Sequence, residues 1–191
     1  MTLTATRTVE MLLPELSLIS SPDLRDLVVR SHIAAMTNSE WSDLEAVPYI
    51  DSHTSKSLAP MTYLSHIRWV ARAVDAMIKS LNDSPDFSLD ADTAVAGSLL
   101  HDVGLMFEFQ LNSDGSFAMR HPDMPIRHPA LGMQIVLSEG GNRAVAHIVA
   151  THSYEGDRVQ RSPEAVVVRH CDVVSYDLAR RVALDPPLSP R

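Results

Sequence analysis

This chain of 191 residues contains very little cysteine and no long apolar run. Cys171 is the single cysteine, so an internal disulfide is excluded, as is usual for proteins of a reducing compartment. No apolar run is long enough to cross a bilayer, and Met1 is not followed by a basic and then apolar signal segment. These absences predict a cytoplasmic protein that has no membrane partner.

Positive charge is also in short supply. The formal net charge is -8, and lysine occurs only as Lys56 and Lys79. We therefore expect no nucleic-acid partner, because proteins bind nucleic acids through basic surfaces. The remaining positive charge is arginine, whose planar group makes fixed contacts with carboxylates and phosphates. A small anionic molecule is a better match for such residues.

Helical patterns dominate the sequence. Apolar residues recur at helical spacing from Met61 to about Leu81, and we expect a single-domain, all-α helical bundle. The alternation between Phe107 and Met119 allows one short β-hairpin insert. Residues 37–60 are expected to be irregular, apart from a short helix near Trp41 to Ala46. Further helix starts are predicted at Ser21-Pro22, His128-Pro129 and Ser162-Pro163.

These patterns also predict how the chain is divided. We expect an N-terminal helical arm over residues 1–60 that packs on a core over residues 61–183. The tail over residues 184–191 carries three prolines and is expected to be flexible. The composition, with 45% hydrophobic and 21% charged residues, is ordinary for one globular domain.

The adjacent residues His101 and Asp102 are the first candidates for chemistry. They lie at the end of an apolar helix, directly before Gly104. Neighbouring helical side chains point about 100° apart, so both reach one point only where the helix ends and the backbone bends. We expect Gly104 to end the helix as a left-handed cap. The two side chains would suit a borderline metal ion, and a carboxylate can bridge two ions through its two oxygens.

Other candidate ligands lie on other helices. Asp172 follows a run of valines, where a carboxylate is costly to bury unless it is paired or bound to a metal. His66 lies near a helix start, His128 at a helix start and His152 at a helix end. Facing side chains of different helices commonly build metal sites in helical bundles.

The ordered set of these residues resembles a known family. His66, His101-Asp102-Val103-Gly104 and Asp172 resemble the motif of the HD-domain superfamily of metal-dependent phosphohydrolases, over roughly residues 61–182. His128-Pro129-Ala130-Leu131-Gly132 and the segment from Ile148 to Asp157 resemble the added histidine segments of its two-metal branch. The resemblance implies an all-α core that holds one or two divalent metals, with Fe, Mn and Zn as candidates. The implied ligands are His66, His101, Asp102, His128, His152 and Asp172.

The resemblance implies a metal-dependent hydrolase of a small anionic substrate, a phosphate ester or a nucleotide. A metal-activated water would attack the substrate, and Asp102 is the predicted catalytic residue, because it would bridge the metals. Leu105 departs from the family, in which many members carry a lysine that helps to hold a phosphate. Arg127 is the predicted substrate-binding residue, because it directly precedes His128 and arginine binds anionic oxygens in pairs.

Several alternatives remain open at this stage. The absence of the lysine favours a two-iron oxygenase that cleaves a C–C or C–P bond with dioxygen, an activity that the superfamily includes in myo-inositol oxygenase. A degenerate binding module that keeps only the fold is a third hypothesis. Asp172 could be a buried acid paired with Arg169, and His147 competes with His152 as a ligand. A homo-oligomer also remains open.

Overall fold

The computed structural model describes residues 3–51 and 54–184. Most of this chain is helical, which confirms the predicted all-α class. The predicted tail lies outside the described residues from position 185 onward. The α-helices are α1 (Leu3–Leu12), α2 (Pro22–Asn38), α3 (Tyr63–Asn82), α4 (Ala91–Leu100), α5 (Leu105–Glu108), α6 (His128–Ser138), α7 (Arg143–Thr151) and α8 (Pro163–Ala183).

Side-chain caps explain where several helices begin. The Ser21 hydroxyl accepts a hydrogen bond from the Leu24 backbone N–H at the start of α2. The Ser162 hydroxyl accepts one from Ala165 at the start of α8. Each cap satisfies a backbone N–H that the first turn of a helix leaves without a partner. These two predicted helix starts are therefore confirmed.

Helix α4 lies at the centre of the core. Every residue from Thr93 to Leu100 is buried, and the helix packs against α2, α3, α7 and α8. A helix that is apolar on all sides is typical of such a central position. The N-terminal residues Val9, Leu13 and Ile19 are fully buried in the same core. No helix among the described residues is long and apolar enough to cross a membrane.

Two short antiparallel hairpins accompany the helices. Strands β3 (Phe109–Leu111) and β4 (Phe117–Met119) form the predicted hairpin. Strands β1 (Pro48–Asp51) and β2 (Lys56–Thr62) form a second one, so the expectation of a single hairpin, with no strand over residues 37–60, was wrong. The pattern was missed because β2 contains a proline and buries only one side chain, Leu58, so it lacks the alternation of a half-buried strand. The short helix expected near Trp41 to Ala46 is present as one 3-10 turn, Leu44–Ala46.

Gly104 has a different role from the predicted one. Its φ of -70° and ψ of -17° are right-handed, so the expected left-handed cap was wrong. A Cβ at this position would instead collide with the carbonyl oxygen of His128 and lie 2.7 Å from the backbone nitrogen of Gly132. The absence of a side chain therefore lets the chain after α4 lie directly against the first turn of α6. This close approach brings the His101-Asp102 pair beside His128.

Candidate metal centre

All six predicted ligand side chains converge at one buried point. Helix α3 contributes His66, the turn after α4 contributes His101 and Asp102, and α8 contributes Asp172. His128 is the first residue of α6, and His152 directly follows α7. The candidate ligands thus come from five helices or the residues that directly follow them, and helix packing brings them together.

Four of the side chains form a first group. The Nε2 atoms of His66 and His101 are 3.0 Å apart. Asp102 Oδ2 lies 3.4 Å from each of these nitrogens. Asp172 Oδ1 lies 3.3 Å from His66 Nε2 and 3.6 Å from His101 Nε2. The two nitrogens and two oxygens therefore surround one position that could hold a divalent ion.

The second group shares Asp102 with the first. His128 Nε2 and His152 Nε2 are 3.2 Å apart, and Asp102 Oδ1 lies 3.4 Å from both. Asp102 directs one oxygen to each group, which is the arrangement expected of a bridging carboxylate.

The hydrogen bonds behind the histidines show that the donor set fits metal ions. The Nδ1 atoms of His101 and His152 lie 2.6 Å from the Ser98 carbonyl oxygen and 2.8 Å from the Val149 carbonyl oxygen. A carbonyl can only accept, so each Nδ1 carries the proton and, in the neutral ring, each Nε2 presents a lone pair to the centre. His128 Nδ1 donates in the same way to a carboxylate, 2.7 Å away. The His128 and His152 lone pairs and Asp102 Oδ1 therefore face one another, and a cation between them would relieve their repulsion.

Charge inside the cluster also favours a cation. Burial alone would raise the pKa of Asp102. The charge of His101 and the hydrogen bonds from His101, His152 and His66 instead hold that pKa well below its usual value. Burial opposes protonation of His101, whereas the Asp102 and Asp172 carboxylates favour it. The net effect raises the pKa of His101 well above its usual value. Burial lowers the pKa of His152. Burial alone would raise the pKa of Asp172 as well, but hydrogen bonds from His101 and His66 hold it well below its usual value. The two carboxylates thus stabilise positive charge among the histidines, and a metal ion would supply that charge in place of the His101 proton.

The structure adds Glu108, which the sequence did not single out as a site residue. This buried carboxylate accepts hydrogen bonds from both His128 Nδ1 and the His128 backbone N–H, the latter at 2.8 Å. Such carboxylate–histidine contacts orient metal-binding imidazoles and raise their basicity. The alternating segment around Glu108 indicated a strand, which hid the role of this side chain.

Arg127 lies behind the centre rather than over it. Its guanidinium forms an ion pair with Glu108, and its Nε lies 3.0 Å from Glu155 Oε1. It also lies 5.7 Å from the centre of the Tyr154 ring. These contacts fix the position of Glu108, the carboxylate that accepts hydrogen bonds from His128. The predicted substrate contact of Arg127 stays a prediction.

His147 and Arg169 have other partners. His147 Nε2 accepts a hydrogen bond from the Ser162 backbone N–H at 3.1 Å, which places it at the start of α8. Asp172 faces His66 and His101, and within the described part of the chain Arg169 makes an ionic contact with Asp157 instead. The Tyr49 ring stacks on His66 with centroids 4.1 Å apart.

A cavity of about 240 Å³ gives access to the centre. Asp102, His128, His152 and Asp172 form part of its wall, so a molecule in the cavity would reach both groups of side chains. The remaining wall is largely apolar and aromatic, with Arg169 as its cationic side chain. It consists of Tyr49, Ile50, Leu105, Ser153, Tyr154, Arg169, Val173, Tyr176 and Asp177.

Comparison with known proteins identifies the family. The family model described as "HD domain" matches residues 63–177, which is more than half of the chain. No curated protein and no solved structure matches the chain significantly. The matched segment contains all six converging side chains, and the predicted resemblance is confirmed. The chain belongs to the HD-domain family.

Proposed function

We propose that this protein is a metal-dependent hydrolase of a small anionic substrate, a phosphate ester or a nucleotide. The HD domain belongs to a superfamily of metal-dependent phosphohydrolase type. The observation that carries the proposal is the position of Asp102, which lies between two groups of ligands at the wall of a cavity.

The residues of the centre would hold two divalent ions with Asp102 between them. Such ions supply Lewis acidity, which lowers the pKa of a bound water and stabilises negative charge that develops on the substrate. Four positive charges would face two negative charges from Asp102 and Asp172, so the loaded site would attract an anion although the whole chain is acidic. The hydrolysis consumes one water and yields phosphate and an alcohol, so it needs no redox partner.

The size of the cavity supports a small substrate. Pockets for small molecules usually enclose roughly 300–1,000 Å³, and this cavity of about 240 Å³ lies below that range. Apolar and aromatic side chains would exclude water around the bound molecule, which strengthens electrostatic interactions at the centre. A compact ester or a mononucleotide is therefore a better match than a polymer.

The test is an assay of Mn²⁺-loaded protein under argon against phosphate monoesters, sugar phosphates and nucleotides. We expect release of phosphate in at least one of these classes, because water is the only co-substrate required. Activity should be lost in Asp102→Ala and retained in His170→Ala, which removes an exposed histidine two residues before Asp172 on the same helix. Failure of every anionic ester to react under argon would contradict the proposal.

Leu105 favours a second candidate function. It lines the cavity at the position where many family members carry a phosphate-binding lysine. A two-iron oxygenase that cleaves a C–C or C–P bond would not need that lysine, and histidine-rich ligand sets suit iron. Turnover that requires both iron and dioxygen, with no reaction under argon, would replace hydrolysis by this second function.

A further inference from the structure

We propose that Arg169 forms an anion-binding subsite on the cavity wall and that the substrate carries one compact anionic group. The inference rests on the proposed function, since it names the group that holds the substrate at that same centre. It also gives the substrate contact to a different arginine from the one that the sequence predicts, Arg127.

Helix α8 positions Arg169 beside the metal ligands. Arg169 precedes Asp172 by three residues, and side chains at this spacing lie on the same face of a helix. Both residues line the cavity. An anion near the centre would therefore lie within the region that the Arg169 guanidinium borders.

Among the described residues, the N–H donors of the Arg169 guanidinium have only one weak ionic partner. This partner is Asp157 Oδ1, at a loose distance of 3.7 Å. That oxygen already accepts a hydrogen bond from Arg161 Nη2 at 2.8 Å, and the Asp157 side chain is 54% exposed. Arginine carries five N–H donors in a planar fork that matches phosphate or carboxylate oxygens. Arg127, in contrast, is held by two carboxylates, those of Glu108 and Glu155.

The negative charge of Asp177, at a distance from Arg169 along the cavity, favours a substrate that is anionic at one end only. Asp177 lines the cavity eight residues after Arg169, which is about 12 Å along a helix axis. Val173 and Tyr176 lie between them on the cavity wall. An exposed carboxylate at that end would repel a second phosphate and accept hydrogen bonds from hydroxyl groups. The wall thus suits a phosphate monoester with an uncharged or hydroxylated body better than a polyphosphate.

The test measures the affinity of inorganic phosphate for the Mn²⁺-loaded protein by titration calorimetry. We expect Arg169→Ala to weaken phosphate binding by roughly 10- to 150-fold, the value of one charge-assisted contact. Arg169→Lys should retain an intermediate affinity, because a point charge replaces the fork. Metal content and thermal stability should stay unchanged. The matched control is Arg143→Ala, which removes an exposed arginine outside the cavity and should not alter phosphate binding.

The outcomes separate this proposal from the proposed function. Unchanged phosphate affinity in Arg169→Ala would overturn the subsite, even if the wild-type protein hydrolyses esters. Loss of affinity in Arg169→Ala would support the subsite, even if no ester is hydrolysed under argon. Loss in Arg127→Ala alone, with metal content unchanged, would return the substrate contact to Arg127. No phosphate binding by the loaded wild-type protein would also contradict the subsite.

Discussion

Replacing Asp102 by alanine should abolish metal binding at both positions of the centre, whereas His128→Ala should weaken mainly one. Asp102 directs Oδ2 toward His66 and His101 and Oδ1 toward His128 and His152. Its removal leaves two histidines at the second position and takes one carboxylate from the first. His128→Ala leaves the first group complete. The measurement is the Mn²⁺ stoichiometry of each purified variant.

Asp102→Asn sharpens this test. The asparagine side chain keeps the shape of aspartate but has one oxygen and an NH₂ group, which donates and cannot bind a metal in the same way. We expect at most one of the two positions to survive in this variant. His170→Ala, with its histidine on the exposed face of α8, should keep the wild-type stoichiometry. Full metal content in Asp102→Ala would refute the bridging role.

Replacing Glu108 by alanine should both destabilise the fold and weaken the position beside His128. Glu108 is buried, accepts two hydrogen bonds from His128 and pairs with Arg127. Removing one partner of a buried ion pair costs about 3–5 kcal/mol of unfolding free energy. Loss of a group that orients a metal-binding histidine typically lowers metal affinity about 10- to 100-fold. Urea unfolding of the metal-free protein and Mn²⁺ titration measure these two effects separately.

Glu40→Ala is the matched control for Glu108. Glu40 also pairs with an arginine, Arg120, at 3.0 Å, but here the carboxylate is exposed and the arginine only half-buried. Exposed ion pairs contribute about 0–1 kcal/mol, so this variant should remain close to the wild-type protein in stability and should keep both metal positions. A Glu108→Ala protein as stable as Glu40→Ala would show that the buried pair does not support His128.

The helices and the six converging side chains could be predicted because their signals are local. Ser21 and Ser162 are caps that can be identified from adjacent residues, and the His101-Asp102 pair stands out at the end of an apolar helix. Asp172 among valines indicates a buried charge that needs a partner. Their ordered spacing then matched a family in which these residues meet.

The parts that could not be predicted depend on contacts between distant segments. Glu108 and His128 are separated by twenty residues, and their contact follows from the packing of α5 against α6. The need for glycine at position 104 comes from the backbone of α6 rather than from its own dihedral angles. Arg127 is next to a ligand in sequence yet points to Glu108, whereas Arg169 reaches the cavity because it lies one helical turn before Asp172.

Locating bound ions in crystals grown with Mn²⁺, by anomalous scattering, tests the proposed centre most directly. Two peaks are predicted, one beside His66, His101 and Asp172 and the other beside His128 and His152. Asp102 should lie between the peaks, with one oxygen toward each ion. Well-ordered crystals of the Mn²⁺-treated protein with no peak within coordination distance of these residues would contradict the metal centre and the hydrolase function that depends on it.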